Sequence, residues 1–437
     1  MMNLMTHWFD QLTKTYPWLG WLKINLGVKR WIVLLLGGIV ALGVGIAFAL
    51  VELYQGGAMP LPLDVLTMQF LPRWFRAILL AIVGIGSVVI ALWKLSDTIL
   101  SPFTTNGKSI VQAVTEHRRK GRGPRIVVIG GGTGMATLLR GLKRHTSNIT
   151  AIVTVADDGG SSGRLRRTLG VLPPGDFRNC IAALADDEAL ITQLFQYRFG
   201  SGEGLEGHSF GNLFISAMAE VTGSFEKGLA ESSRVLSIQG RVIPSTLQDV
   251  TLVGHLREAH AEVAYQVEGE SAIPSSPGAI ERVFLQPDDV SAYPEALQAI
   301  LAADMIVAGP GSLYTSVIPN LLVRDIAAAV KASRATKVFV CNVATQPGET
   351  DGYSVIDHLK ALEAHSSQNL FPIVIANDKQ VGTLLPNLEW VRVDPHLNGG
   401  HRLITVDVAL ADKPWRHDSE KLANVLMKIN EENLVAL

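Results

Sequence analysis

Apolar runs alternate with polar, glycine-rich joints along this chain, and the rhythm changes sharply near residue 125. Before it stand two long uncharged runs, 21 residues from Trp31 to Val51 and 17 from Ala77 to Trp93. After it the apolar runs shorten to strand length: Ile126–Ile129, Ile149–Val155, Met305–Ala308, Val338–Cys341 and Ile373–Ala376. Continuous short runs rich in Val and Ile predict strands buried on both faces. Helical spacing appears between them, in Leu138, Leu139 and Leu142, over Tyr293–Ala303, and over Ser419–Glu431 with Asp418 as its N-cap. After Ser209 the same reading places Leu213, Met218 and Val221 on one apolar face. Strand and helix in alternation predict an α/β, Rossmann-like doubly wound domain with a mostly parallel sheet over 125–437. Arg241–Leu285 breaks that rhythm with short β-rich runs, and predicts a smaller β-rich insertion.

The two long runs change the picture of the first hundred residues. A run of about 20 uncharged residues is long enough to cross a bilayer as a helix, and Trp74 and Trp93 bracket the second run as interfacial tryptophans do. Residues 1–100 therefore read as a two-helix transmembrane hairpin with spans at about 31–51 and 77–93. Basic residues flank the pair on the outside (Lys23, Lys29 and Arg30 before, Lys94 and Lys108 after), which places both termini and the globular domain in the cytoplasm. Residues 101–124 read as a basic linker. Its Gly107-Lys108-Ser109 is no P-loop, since Pro102 replaces the leading glycine. Residues 1–125 hold 13 Lys/Arg against 5 Asp/Glu, whereas the remainder is acidic. A basic start on an acidic body points to a membrane surface and not to nucleic acid. Cys180 and Cys341 are too few and too far apart for a disulfide framework or a metal cluster.

Candidate chemistry gathers at the strand ends. After Ile129 come Gly130, Gly131, Gly132, Thr133 and Gly134, then a helix. Strand, glycine turn and helix start form a phosphate cradle, because glycine lets the backbone approach and the first helical N–H groups point at an anion. The match to G-x-G-x-x-G is incomplete, with Met135 at the third glycine. After the second strand Asp157 and Asp158 stand where such folds hold a ribose or a metal ion, and Arg164 follows within reach of an anion. Asp176 reads as a helix cap, with Arg178 and Asn179 in the first turn. An arginine there opposes the macrodipole, so Arg178 is expected to serve a ligand or a carboxylate. His208 and Asn212 cluster at another helix start, while His255 and His260 lack metal-ligand spacing. Gly309, Gly311 and Ser312 make a second glycine turn, and Asn342, Thr345, Gln346 and Glu349 supply polar groups suited to a sugar or base. Arg416 stands just ahead of the last helix as a candidate phosphate ligand. No nucleophile–base pair is evident in the sequence.

The ordered strings GGGTG, DDGGSSGRLR, PPGDFRN, GHSFGN, GPGSLYTS and TQPGETDGYS resemble the gluconeogenesis factor family, within the CofD-like superfamily of 2-phospho-L-lactate transferase. The resemblance spans Arg125 to Glu431. It implies a Rossmann-like fold that binds a sugar nucleotide, UDP-N-acetylglucosamine, with Thr133, Asp157 and Arg416 on the nucleotide. It also implies a regulatory role linking central carbon metabolism to cell-shape and envelope maintenance during gluconeogenic growth. Self-association and envelope-related protein partners are compatible with that role. The alternative is a metal-dependent phospho-group or nucleotidyl transferase, with Asp157 and Asp158 as catalytic groups holding Mg2+.

Overall fold

The computed structural model describes residues 120–435, apart from 186–187, 259–260 and 395–399, together with ten positions between 39 and 86. It divides into two compact units, Met1–Arg118 and Arg119–Leu437. In the first, positions 39, 40, 43, 46 and 47 of one apolar run and 82, 85 and 86 of the other are helical. The rest of the expected hairpin and residues 101–119 of the linker lie outside the described residues. Among those described, no single helix is long and apolar enough to cross a membrane.

The second unit is built on a seven-stranded sheet. Its strands are β1 (Ile126–Gly130), β2 (Ile149–Val153), β3 (Arg241–Pro244), β7 (Met305–Ala308), β8 (Thr336–Val340), β9 (Ile373–Asn377) and β10 (Arg402–Val406). The order is β10-β9-β8-β7-β1-β2-β3, and every neighbouring pair is parallel. β1, β2, β7 and β9 are buried at every position, which their runs of Ile, Val and Ala allow and a sheet covered on both faces requires. The chain winds outward from β1 through β2 to β3, then returns to β7 and winds the other way. Strand order therefore reverses between β1 and β7.

The sheet corrects one boundary. Arg241–Pro244 belongs to the main sheet as its edge strand, so the insertion is a separate three-stranded antiparallel sheet, β4 (Thr251–Arg257), β5 (Tyr265–Glu268) and β6 (Ala279–Gln286). His255 lies in β4, where its ring stacks edge-on against Phe284.

The helices that matter for the site start at the upper rim of the sheet. They are α1 (Gly132–Leu142), α2 (Gly160–Leu169), α3 (Gly175–Leu184), α4 (Glu188–Gln196), α5 (Phe210–Thr222) and α6 (Phe225–Val235). After β6 come α7 (Pro294–Ala302), a π-turn over Leu313–Val317, α8 (Ile318–Leu322), α9 (Arg324–Ala332), α10 (Val355–His365) and α11 (Ser419–Val435). α1 packs between α3 and α11, where Gly141 lets the backbone of α1 meet that of Ser419. Asp418 caps α11 as expected, its Oδ1 accepting from the N–H groups of Glu420 and Lys421 at 2.9 Å each. In α5 the expected apolar face is reversed. Gly211, Asn212, Ile215, Ser216 and Ala219 face inward, and Val221 is 83% exposed. Small residues win there because α5 and α6 pack backbone to backbone: a Cβ on Gly228 would stand 2.5 Å from the nitrogen of Ala219.

Candidate functional site

Two glycine turns meet where strand order reverses. The first leaves β1 at Gly130 and enters α1, whose N-cap Gly131 supplies no side-chain cap. Gly132 holds φ +65°, a left-handed conformation suited to glycine. The second turn leaves β7 as Gly309-Pro310-Gly311-Ser312, with Gly309 at φ +76°. They approach closely: a Cβ on Gly134 would lie 2.6 Å from the Pro310 carbonyl oxygen, and one on Gly311 would lie 3.3 Å from that of Gly131. Here the glycines serve mutual approach as well as turning.

The cleft above these turns is lined by Gly131–Gly134, Thr137, Ser312, Ser316, Asn342–Gln346, Leu388 and Trp415–His417. Asn342 braces the second turn, donating from Nδ2 to the Gly311 oxygen at 2.9 Å, and Gln346 donates from Nε2 to Ser312 Oγ at 2.7 Å. His417 is buried and donates from Nε2 to the Cys341 oxygen at 3.1 Å, and burial pushes its pKa down to about 4. It pins the segment that carries Trp415 and Arg416 to the rim, with Arg416 exposed. Of the expected site residues, Gly131, Gly132, Thr133, Gly134, Gly311, Ser312 and Arg416 line this cleft directly. Glu349 does not. It is buried, and accepts hydrogen bonds from the Tyr314 N–H at 3.3 Å and the Thr315 hydroxyl at 3.1 Å.

Behind the first turn lies a group of carboxylates. Asp176 does not cap α3: Pro174 is the N-cap, and no side chain bonds there. Instead Asp176 takes the N–H of Gly132, and Gly131 lacks a Cβ where that carboxylate passes. Loss of water around the carboxyl, and then the charge of Asp157, push its pKa up to about 7. Burial likewise raises Asp157, whose Oδ1 accepts from the Gly159 N–H at 2.9 Å. Asp158 turns to the insertion and accepts from the Ser271 N–H at 2.9 Å. That contact brings up Glu270, raised to about 8 by burial and then by the charges of Asp157, Asp176, Glu349 and Asp158. Burial puts Glu349 at about 7. Asp157 and Asp176 are the residues here that could share a cation. No group of three or more His, Cys, Asp or Glu side chains with metal-binding geometry occurs among the described residues.

Arg178, Asn179, His208 and Asn212 form a cluster of their own, joined to the glycine loop through Asp176. Ser161 Oγ lies 3.0 Å from His208 Nδ1, so a hydroxyl–imidazole pair that the sequence did not reveal exists in the fold. Arg164 reaches the same loop, donating to the Glu206 oxygen at 3.0 Å. The sequence also missed Trp415, Leu388 and Thr137 in the cleft, and Asp176 and Glu270 behind it. Trp415 stood beside Arg416 and was findable, whereas Glu270 carried no local signal.

A mostly parallel sheet wound both ways from β1, with paired glycine turns at the reversal, defines a Rossmann-like class of ligand-binding proteins. The family model described as 2-phospho-L-lactate transferase CofD matches residues 126–435. Relatives called gluconeogenesis factor include one from Bacillus subtilis, 48% identical over 71% of this chain and 100% of its own length. Another, from Nostoc sp., is 44% identical over 94% of this chain and 92% of its own length. A crystal structure of a Bacillus halodurans protein superposes with a TM-score of 0.65 at 45% identity, covering 70% of this chain and 99% of that one. The chain belongs to the gluconeogenesis factor family, within the CofD-like superfamily.

Proposed function

We propose that this protein binds a sugar nucleotide, UDP-N-acetylglucosamine, across the β1–β7 crevice and acts as a regulator. Its role is to couple central carbon metabolism to envelope and cell-shape maintenance during gluconeogenic growth. One observation carries the binding reading: the uncapped start of α1 and the second glycine turn face a single cleft. That cleft has amides at Asn342 and Gln346 and a guanidinium at Arg416. Helix N–H groups suit a diphosphate, and the amides suit a base or sugar. Thr133 is exposed at the cleft, where its hydroxyl can meet a phosphate. Thr133→Val keeps the side-chain shape and removes that hydroxyl. Calorimetry is expected to show a loss of about 1.5–3 kcal/mol, ten- to a hundred-fold in affinity. Unchanged affinity in a folded Thr133→Val protein removes Thr133 from the site.

The regulator is proposed to sit on the membrane through residues 1–100. The helical positions Ile39, Val40, Ile46, Ile82 and Ile85 are apolar and exposed on the first unit, as lipid-facing residues are. A labelling reagent outside the cell is expected to reach a cysteine placed at Ala58 and not one at Ser109. The reverse pattern refutes this topology.

A second reading, metal-dependent group transfer, is favoured by the carboxylates Asp157 and Asp176 beside the glycine loop. A bound Mg2+ would supply charge neutralisation for a diphosphate there. The two readings separate on one assay. A regulator returns UDP-N-acetylglucosamine intact after long incubation with magnesium, and Asp157→Asn only weakens its binding. A transferase releases UDP, UMP or a transferred sugar, and Asp157→Asn abolishes the product.

A further inference from the structure

One stretch of backbone in the cleft uses only half of its hydrogen-bonding groups. Beyond β8 the segment Asn342–Gln346 lines the cleft, and Glu389–Val391 pairs with it in antiparallel fashion. The Thr345 N–H donates to the Glu389 oxygen at 2.8 Å, and the Val391 N–H to the Val343 oxygen at 3.1 Å. Ala344 and Trp390 face each other between those two bonds. A residue so placed turns its own N–H and C=O away from the partner segment. Ala344 is 6% exposed and lines the cleft, and among the described residues neither of those two atoms has a hydrogen-bond partner. Buried peptide groups are seldom left with both atoms unpaired.

The side-chain amides beside Ala344 are committed elsewhere. Asn342 Nδ2 donates to the Gly311 oxygen at 2.9 Å and to Gln346 Oε1 at 3.2 Å, and Gln346 Nε2 to Ser312 Oγ at 2.7 Å. Both brace the second glycine turn, at the diphosphate end of the cleft. Apolar surface comes from two further segments, as Leu388 and Trp415, each half-buried. Trp390 packs against the hydrophobic core, whereas Trp415 does not, and among the described residues it stacks on no other ring. Its turn is nonetheless braced. The Leu410 N–H donates to the Arg416 oxygen and the Arg416 N–H to the Lys413 oxygen, each at 2.8 Å, while His417 holds the Cys341 oxygen. Pro414 packs on Gly382, where a Cβ would stand 2.9 Å from Pro414 Cγ. An indole held at the wall of a polar cleft, and not used by the core, offers its face to a planar ring.

We infer that this end of the cleft is a nucleobase subsite, in which the ring stacks on Trp415 beside Leu388 and its edge is read by the main chain of Ala344. The Ala344 N–H meets an acceptor of the ring and its C=O the adjacent donor; in uracil these are a carbonyl oxygen and N3–H. The inference rests on the sugar-nucleotide reading above and deepens it. Uridine takes the Trp415 end, the diphosphate lies at the glycine turns, and N-acetylglucosamine is sent to their far side. The acetamide of that sugar, which also pairs a donor with an acceptor, is the rival occupant of Ala344.

The test uses the full-length protein and UDP, which keeps the base and the diphosphate and lacks the sugar. Calorimetry with wild type is expected to show that a methyl group on N3 of UDP lowers affinity at least about ten-fold, since it removes the donor and pushes against the Ala344 oxygen. Trp415→Leu is expected to weaken UDP by about ten- to a hundred-fold, and Trp415→Phe to restore most of that loss. Melting curves report whether the variants fold, and the N3-methyl comparison needs no variant. Equal binding of UDP and its N3-methyl form overturns the inference, as does full-strength UDP binding by a folded Trp415→Leu. A folded Trp415→Phe as weak as Trp415→Leu also overturns it, because Trp415 would then act by placing Arg416 and not by stacking. If UDP-N-acetylglucosamine binds and UDP does not, the base subsite falls while the sugar-nucleotide reading stands. If neither binds, that reading itself fails and takes the subsite with it.

Discussion

Gly134→Val is expected to abolish sugar-nucleotide binding. The backbone of Gly134 is ordinary, so the residue is not there for a special φ; it is there because the neighbouring turn leaves no room. A Cβ would meet the oxygen of Pro310 at 2.6 Å, its carbon at 2.9 Å and Gly311 Cα at 3.0 Å. All three are backbone atoms of the second turn, so relief requires the two turns to part. Forced overpacking of this kind costs about 1–3 kcal/mol of stability. The larger effect falls on binding, since a ligand held by both turns loses its geometry when they separate by even about 1 Å. A fall in affinity of more than a hundred-fold is expected by calorimetry. Gly132→Ala is the instructive contrast. Its Cβ would meet only Ser316 Oγ, at 3.7 Å, but its φ of +65° is a left-handed conformation. That substitution strains the backbone by about 1 kcal/mol and leaves the turns together. Full-strength binding by Gly134→Val would mean that the ligand does not bridge the two turns.

Asp176→Asn is expected to stabilise the ligand-free protein in mild alkali. The folded pKa of Asp176 is about 7 against an ordinary 3.8. A carboxyl raised on folding contributes stability that is complete below the unfolded pKa and lost as pH rises through the folded one. Glu349 at about 7 and Glu270 at about 8 act in the same direction. His417 works the opposite way: buried and neutral, with its pKa near 4 against an ordinary 6.5, it removes stability as pH falls below about 6.5. By these four groups stability is greatest near pH 4 and declines up to about pH 8, because three carboxyls lose more on the way up than the one imidazole returns. The asparagine variant keeps an oxygen for the Gly132 N–H and has no charge to desolvate. With allowance for the open side of the carboxyl, its advantage at pH 8.5 is on the order of 2 kcal/mol, a few degrees in melting temperature. Parallel melting curves for the two proteins across this range would show that Asp176 does not titrate there. Magnesium that restores wild-type stability at pH 8.5, and leaves Asp176→Asn unmoved, would favour the metal-dependent reading.

What the sequence disclosed and what it hid divide along the reach of each interaction. Five strands of the parallel sheet, β1, β2, β7, β8 and β9, were legible because each carries a local apolar run buried in the sheet; the edge strands β3 and β10 were not, being partly exposed and short of such a run. Both glycine turns were legible because glycine after such a run has few other uses. Asp176 looked like a cap because capping is judged over four residues, whereas its partner Gly132 lies 44 positions earlier. The inward face of α5 was misread because its neighbour approaches too closely for Leu213 or Val221, a fact that resides in Gly228 of another helix. Glu270 was silent for the same reason. Its importance comes from Ser271 touching Asp158, across 113 residues of chain.

The insertion also bears on how the crevice can move. Its loop donates the Ser271 N–H to Asp158, which follows β2 in the first half of the sheet. On the other side Gly348, at φ +78°, lets the backbone of Pro274 press against the segment after β8, and the Val283 N–H donates to His365 Nε2 at the end of α10. One small sheet is thus riveted to both halves of the large one, on either side of the cleft. The halves cannot swing apart as a jaw without tearing one set of rivets. A ligand therefore meets a mouth already cut to size, with Thr133 and Arg416 exposed at its edge, like a keyhole in a rigid plate.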